Sequence, residues 1–154
     1  MTSDKKAEAQ AFLKAHSVGM LATVGTDGKP HASIVHYVSD EHFNIYFLTL
    51  FASRKFAAMR SNPAVAFTIG AREIPQTIQM EGVASELTHA DEKKEHITEL
   101  MKVLTSNSAY YAPLMKLDPS EIVMMWIKPT WVRWGDYASL ESGSDNIFTE
   151  IPIS

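Results

Sequence analysis

Ser53-Arg54-Lys55 opens a short helical segment that stops at Ser61-Asn62-Pro63. Ser53 is a good N-cap residue, and the closing Asn-Pro pair is a recognisable stop. Arg54 and Lys55 then fall in the first turn. A helix N-terminus already carries about half a positive charge, so each cation there is unfavourable by about 0.3–1 kcal/mol. A bound anion removes the conflict. Backbone N–H groups, a hydroxyl and two cationic side chains together make a phosphate receptor. The alternative is a solvated turn whose cations only keep the chain soluble.

Other chemistry is thinly represented. The chain has no cysteine, which excludes disulfides, thiolate metal sites and cysteine nucleophiles. His31 and His36 are five apart in an expected strand and so point to opposite faces. His89 and His96 lie near one helical face, but no third ligand completes a metal set, and no metal is expected. Asp91, Glu92, Glu95 and Glu99 read as a solvated helix face. No Gly-x-Ser-x-Gly elbow is present, and Gly25 with Gly28 does not make a dinucleotide fingerprint. The methionines read as core or interface filler.

With 154 residues and a net charge of −4, the chain reads as one domain (1–154). The acidic balance argues against a nucleic-acid or membrane-surface binder, since phosphate polymers demand surplus Lys and Arg. The expected ligand is a small molecule. Residues 1–8 lack the apolar stretch of a signal peptide, and no run approaches the ~18 apolar residues of a membrane span. A cytoplasmic protein is expected.

The positioning elements follow from periodicity. A helix is expected over the first 16 residues, with Ala9, Phe12 and Leu13 on its apolar stripe. Strands are expected at Ser17–Val24, His31–Val38, Phe43–Thr49, Ala64–Gly70 and Thr77–Leu87, the last bulged or bent at Gly82. Gly25-Thr26-Asp27-Gly28 is a strong turn signal. A helix starts near Thr88 and Asp91 and buries Ile97, Leu100, Met101 and Leu104, followed by a second helical piece from Asn107 to Leu117. Strand character returns at Glu121–Lys128 and Thr130–Trp134, interrupted at Lys128-Pro129, and residues 141–154 read as a tail. The class is mainly β with flanking helices, a closed antiparallel barrel.

Taken in order, these pieces resemble the flavin-binding split-barrel family related to pyridoxamine 5'-phosphate oxidase. The likeness runs from Leu21-Ala22-Thr23-Val24 and Asp27-Gly28-Lys29-Pro30 through Ile45-Tyr46-Phe47-Leu48-Thr49, Ser53-Arg54-Lys55 and Asn62-Pro63-Ala64-Val65. It ends with Gln79-Met80-Glu81-Gly82 and Pro129-Thr130-Trp131-Val132-Arg133-Trp134. The resemblance implies a homodimer of six-stranded antiparallel split barrels with FMN at the subunit interface. Arg54 and Lys55 would hold the flavin phosphate, assisted by Ser53. Ser33, Ile34, Val35 and His36 would run beside the isoalloxazine ring, with Leu48 and Thr49 nearby. Gln76 or Thr77, and Trp134, would reach the cofactor from the partner subunit.

Departures from the family pattern bear on the reaction. Ser33 and Val38 stand where the oxidase has Arg and Lys, and after Trp134 no Arg, Lys or His follows to grip a substrate phosphate. The resemblance therefore implies an FMN-dependent oxidoreductase of some other small molecule. The same fold with a deazaflavin, a heme-binding or heme-degrading relative, and a non-catalytic flavin module are the alternatives.

Overall fold

The computed structural model describes residues 2–70, 73, 75–88, 90–106, 116, 118–140 and 146–153. Its elements are α1 (Thr2–Ala15), β1 (Val18–Val24), β2 (Pro30–Ser39), β3 (Ile45–Leu50), α2 (Arg54–Ser61), β4 (Ala64–Gly70), β5 (Gln76–Glu86), α3 (Ala90–Thr105), β6 (Ile122–Asp136) and β7 (Phe148–Ile151). The expected helix at Asn107–Leu117 lies outside the described residues except for a turn at Lys116. His89 lies outside them too.

The strands are antiparallel in the order β3-β2-β1-β4-β5-β6-β7, and β3 also pairs with β6. That last pairing closes a six-stranded barrel. Alternation along each strand fills it: Leu21, Val35, Tyr37, Phe47, Phe67, Ile69, Ile78, Met80 and Val132 all point inward and are buried. α1 packs on β2, β6 and β7, and α2 on β1, β3 and β5. The expected α1 stripe is the buried one, with Ala9, Phe12 and Leu13 in the core. A second cluster forms outside the barrel, where Ile97 and Leu100 of α3 meet Val38, Tyr46, Leu48, Met124 and Trp126.

The tight turn at Gly25–Gly28 forms as expected, with Gly28 at φ 79°, where a side chain would be strained. Its amide donates to the Gly25 carbonyl at 2.9 Å. Two expectations are corrected. Lys128-Pro129 does not interrupt the last long strand, because proline's missing N–H falls at a bulge: Glu81 pairs with Trp131 and Gly82 with Pro129, skipping Thr130. Gly82 belongs there because a Cβ would sit 2.7 Å from the Lys128 carbonyl oxygen. The C-terminal segment is not simply a tail, since Phe148–Ile151 pairs with Val132–Gly135 of β6.

Tyr37 anchors α1 to the barrel, its buried hydroxyl donating to the Leu13 carbonyl at 2.7 Å. Burial pushes its ionisation well above the ordinary tyrosine value. Tyr37→Phe is expected to cost about 1–3 kcal/mol, since a helix-end carbonyl loses its donor out of water. Urea titration of the two proteins checks this, and equal midpoints would contradict the anchor.

Candidate functional site

α2 carries the cation pair as the sequence predicts. Ser53 is the N-cap at φ −75°, ψ 153°, and its Oγ accepts from the Phe56 N–H. The distance is 3.2 Å, and Thr49 Oγ1 lies 2.9 Å from the same Oγ. The first turn holds no acidic residue. Phe56, Ala58 and Met59 bury one face of the helix against the barrel, so its N-terminus is rigidly placed. Arg54 is exposed and Lys55 half-buried. Neither makes a salt bridge among the described residues. The donor set therefore has the chemistry of a phosphate receptor, and no carboxylate among the described residues forms an ion pair with it.

Beside it the barrel wall is split. The β2–β3 ladder covers only Tyr37–Ser39 against Ile45–Phe47. From His36 back toward Pro30, β2 is laddered on its β1 side alone. This gives the Ser33–Val35 stretch an edge without strand partners, next to the two strands that lead into and out of the split. Ile34 and His36 project outward there, Ile34 being 65% exposed, whereas Val35 is buried inward. Ser33 shares the inward register of Val35; the Tyr37 N–H donates to the Ser17 carbonyl at 2.9 Å, so by period two the backbone groups of Ser33 and Val35 turn to β1 and those of Ile34 and His36 turn to the open edge.

Sequence reasoning missed His31. It sits on β2 with both ring nitrogens 3.4 Å from Arg54 Nη2. Together they line a cavity of about 180 Å3 with Gly25, Thr26, Asp27, Ala57 and Ala58. No spacing rule links positions 31 and 54; only barrel closure brings them together.

Other expected residues are placed differently. Thr49 is buried, and its hydroxyl meets Ser53, so it supports the N-cap. Leu48 faces outward and packs against the α3 cluster. Trp134 does not reach a surface at all: it is 1% exposed, in the core, with its ring edge-on to Phe12 at 5.2 Å between centroids. Thr77 pairs with Gly70 at the end of β4 remote from α2. Six residue steps at about 3.3 Å put it roughly 20 Å from the end of α2. Neither Gln76 nor Thr77 is among the described residues that line the Arg54 and His31 cavity.

Burial lowers the pKa of His36 from its ordinary 6.5. Folding therefore favours the neutral ring. The unfolded chain takes up the proton first, so the fold loses stability as pH falls from 6.5 through the lower folded value. His36→Gln is expected to shrink the difference between urea midpoints at pH 7.5 and 5.5. An unchanged difference would show that His36 does not contribute.

Among the described residues no group of three or more His, Asp and Glu side chains is arranged to hold a metal ion. No helix among them is long and apolar enough to cross a membrane.

A closed six-stranded barrel, split between β2 and β3 beside a cationic helix end, defines a split-barrel protein. Residues 6–134 match the family model described as pyridoxamine 5'-phosphate oxidase, and the chain belongs to that family. A pyridoxine/pyridoxamine 5'-phosphate oxidase of Chromobacterium violaceum is 35% identical over 65 residues, which are 42% of this chain and 30% of that protein. The matched stretch is thus less than a third of that relative's length. A heme binding protein from Mycobacterium smegmatis has a TM-score of 0.73 at 19% identity, over 95% of this chain and 57% of that one. A FAD-binding protein from Mesorhizobium loti has a TM-score of 0.63 at 21% identity, over 82% and 90%. At such identities the two structures establish the fold.

Proposed function

We propose that the protein binds FMN on the outer face of the split, in a groove completed by a second copy of the chain, and acts as an oxidoreductase on a small molecule other than pyridoxamine phosphate. The observation that carries this reading is the Arg54–Lys55 couple at the capped end of α2, without an ion pair among the described residues, beside the open edge of β2. Arg54, Lys55, the Ser53 hydroxyl and the first-turn amides hold the flavin phosphate. The Ser33–His36 strand runs beside the ring, with the open-edge backbone groups of Ile34 and His36 at its polar edge and their side chains in contact with it. When bound, the flavin supplies hydride or electron transfer, and the chain supplies binding, orientation and tuning. His36, neutral at pH 7, hydrogen-bonds rather than adds charge.

Two features support the dimer. Val18, Met20 and Ile34 are exposed on adjoining strands and form one apolar outer face, with Met20 opposite Ile34 in the ladder. Gln76 and Thr77 do not line the Arg54 cavity of their own chain, and in a dimer they would reach the cofactor from the partner. Against pyridoxamine phosphate as substrate, Ser33 turns inward and Val38 packs in the α3 cluster, so neither offers a cation.

The test is direct. Protein purified without added cofactor and then denatured should release FMN, identified by mass spectrometry. Cofactor-stripped protein should quench added FMN fluorescence at micromolar concentrations, with inorganic phosphate competing. Failure of both would overturn the reading.

A further inference from the structure

Arg54 presents its charge from an exposed position on α2, where a long side chain samples many rotamers. A carboxylate is the common way to fix a guanidinium. Here no carboxylate among the described residues pairs with Arg54, although Asp27 lines the same cavity of about 180 Å3. Asp27 Oδ1 instead accepts from the Lys29 N–H at 3.0 Å. The contact that Arg54 does make is with His31, whose two ring nitrogens both lie 3.4 Å from Nη2.

That equality fixes the geometry. The two nitrogens flank a single carbon, Cε1, so an in-plane atom equidistant from both at this range would collide with it. Nη2 therefore stands over the face of the imidazole. The lone pair and N–H of the ring lie in its plane, so the contact is a guanidinium stacked on an aromatic face, not a hydrogen bond. The ring itself is backed. His31 shares the inward register of Ser33 and Val35, opposite Thr23, which places it in the cavity that Ala57 and Ala58 of α2 also line. A Cβ at Gly25 would come within 3.0 Å of His31 Nε2 and 3.2 Å of Cδ2, so the missing side chain lets the ring seat against the turn. That turn is closed by the Gly25 amide donating to the Lys29 carbonyl at 2.8 Å.

We infer that His31 is a positioning residue for Arg54, its ring face holding the guanidinium in place for a phosphate without neutralising it. A carboxylate would orient the group equally well but would cancel the charge that the phosphate needs. An aromatic face carries no negative charge, and stacking leaves the N–H edge of the guanidinium open for two parallel bonds to phosphate oxygens. That the phosphate is a flavin's rests on the reading above; the ordering of Arg54 by His31 does not.

The test combines a double-mutant cycle, read by FMN titration, with NMR of the Arg54 side chain in flavin-free protein. His31→Ala should weaken FMN by about three- to tenfold, with an unchanged circular dichroism spectrum. His31→Phe keeps a ring face and removes both nitrogens, and should return affinity to within about twofold of the parent. In an Arg54→Ala background, His31→Ala should have no further effect. The nitrogen–proton heteronuclear NOE of Arg54 Nε should be high in the parent and in His31→Phe, and should fall in His31→Ala. Should His31→Ala lose its fold, His31→Asn, polar but without a ring, carries the same expectations. Unchanged FMN affinity in His31→Ala, an equal loss with and without Arg54, or a His31→Phe protein as weak as His31→Ala would each overturn the inference. FMN binding with Arg54 Nε equally mobile in the parent and in His31→Ala would remove the positioning role alone. Arg54 ordered by His31 in a protein that never takes FMN would remove the flavin reading alone.

Discussion

Replacing Arg54 and Lys55 together by alanine is expected to abolish FMN retention while leaving the fold intact. Each charge-assisted contact to a phosphate contributes about 1.5–3 kcal/mol, so losing both should weaken FMN on the order of 100-fold to 10,000-fold. Without ligand the variant should be as stable as the parent or more so. Two cations leave a helix end that disfavours them, a gain of about 0.5–2 kcal/mol for the pair. The two readouts, fluorescence titration and thermal melting, should therefore move in opposite directions. A variant that keeps full FMN affinity would place the phosphate elsewhere. A variant that loses both affinity and fold would leave the assignment to Lys55→Met alone, which keeps the half-buried stem and removes only the charge.

Trp134→Ala is expected to have the largest effect on stability. The indole is fully buried against Phe12 and the inward residues of the barrel. Truncating such a side chain costs about 3–5 kcal/mol through lost transfer energy and the cavity left behind. Its Nε1 has no hydrogen-bond partner, so Trp134→Phe removes an unsatisfied N–H along with part of the packing and should cost far less. Phenylalanine should also leave FMN affinity unchanged, because the ring lies inside the barrel. A selective loss of FMN in Trp134→Phe, with unaltered urea midpoint, would restore this residue to the cofactor site.

Both predictions turn on the side to which a residue faces, and there sequence and structure part company. The turn at Gly25–Gly28, the Ser53 N-cap, the α1 stripe and the bulge at Gly82 were legible because each depends on neighbours within a few residues. The family resemblance was legible for a related reason: its motifs are such local pieces in a fixed order. Thr49 and Trp134 were harder. Period-two alternation says that neighbours face opposite ways, but not which set faces the core. That is decided when β3 pairs with β6 and closes the wall.

The strand at Phe148–Ile151 was illegible because the sequence flanking it reads as tail, and its partner is the distant second half of β6. The uninterrupted course of β6 through Pro129 is similar, since a missing N–H is harmless only where the facing strand carries a matching irregularity, supplied here by Gly82. By itself the sequence determined the class of fold, the turn chemistry and the cation pair at a helix start. Tertiary structure alone decided that His31 joins Arg54 and that β2 keeps an open edge. Those outcomes depend on strands far apart in the chain meeting in one closed sheet, where loop closure and side-chain volume settle the register.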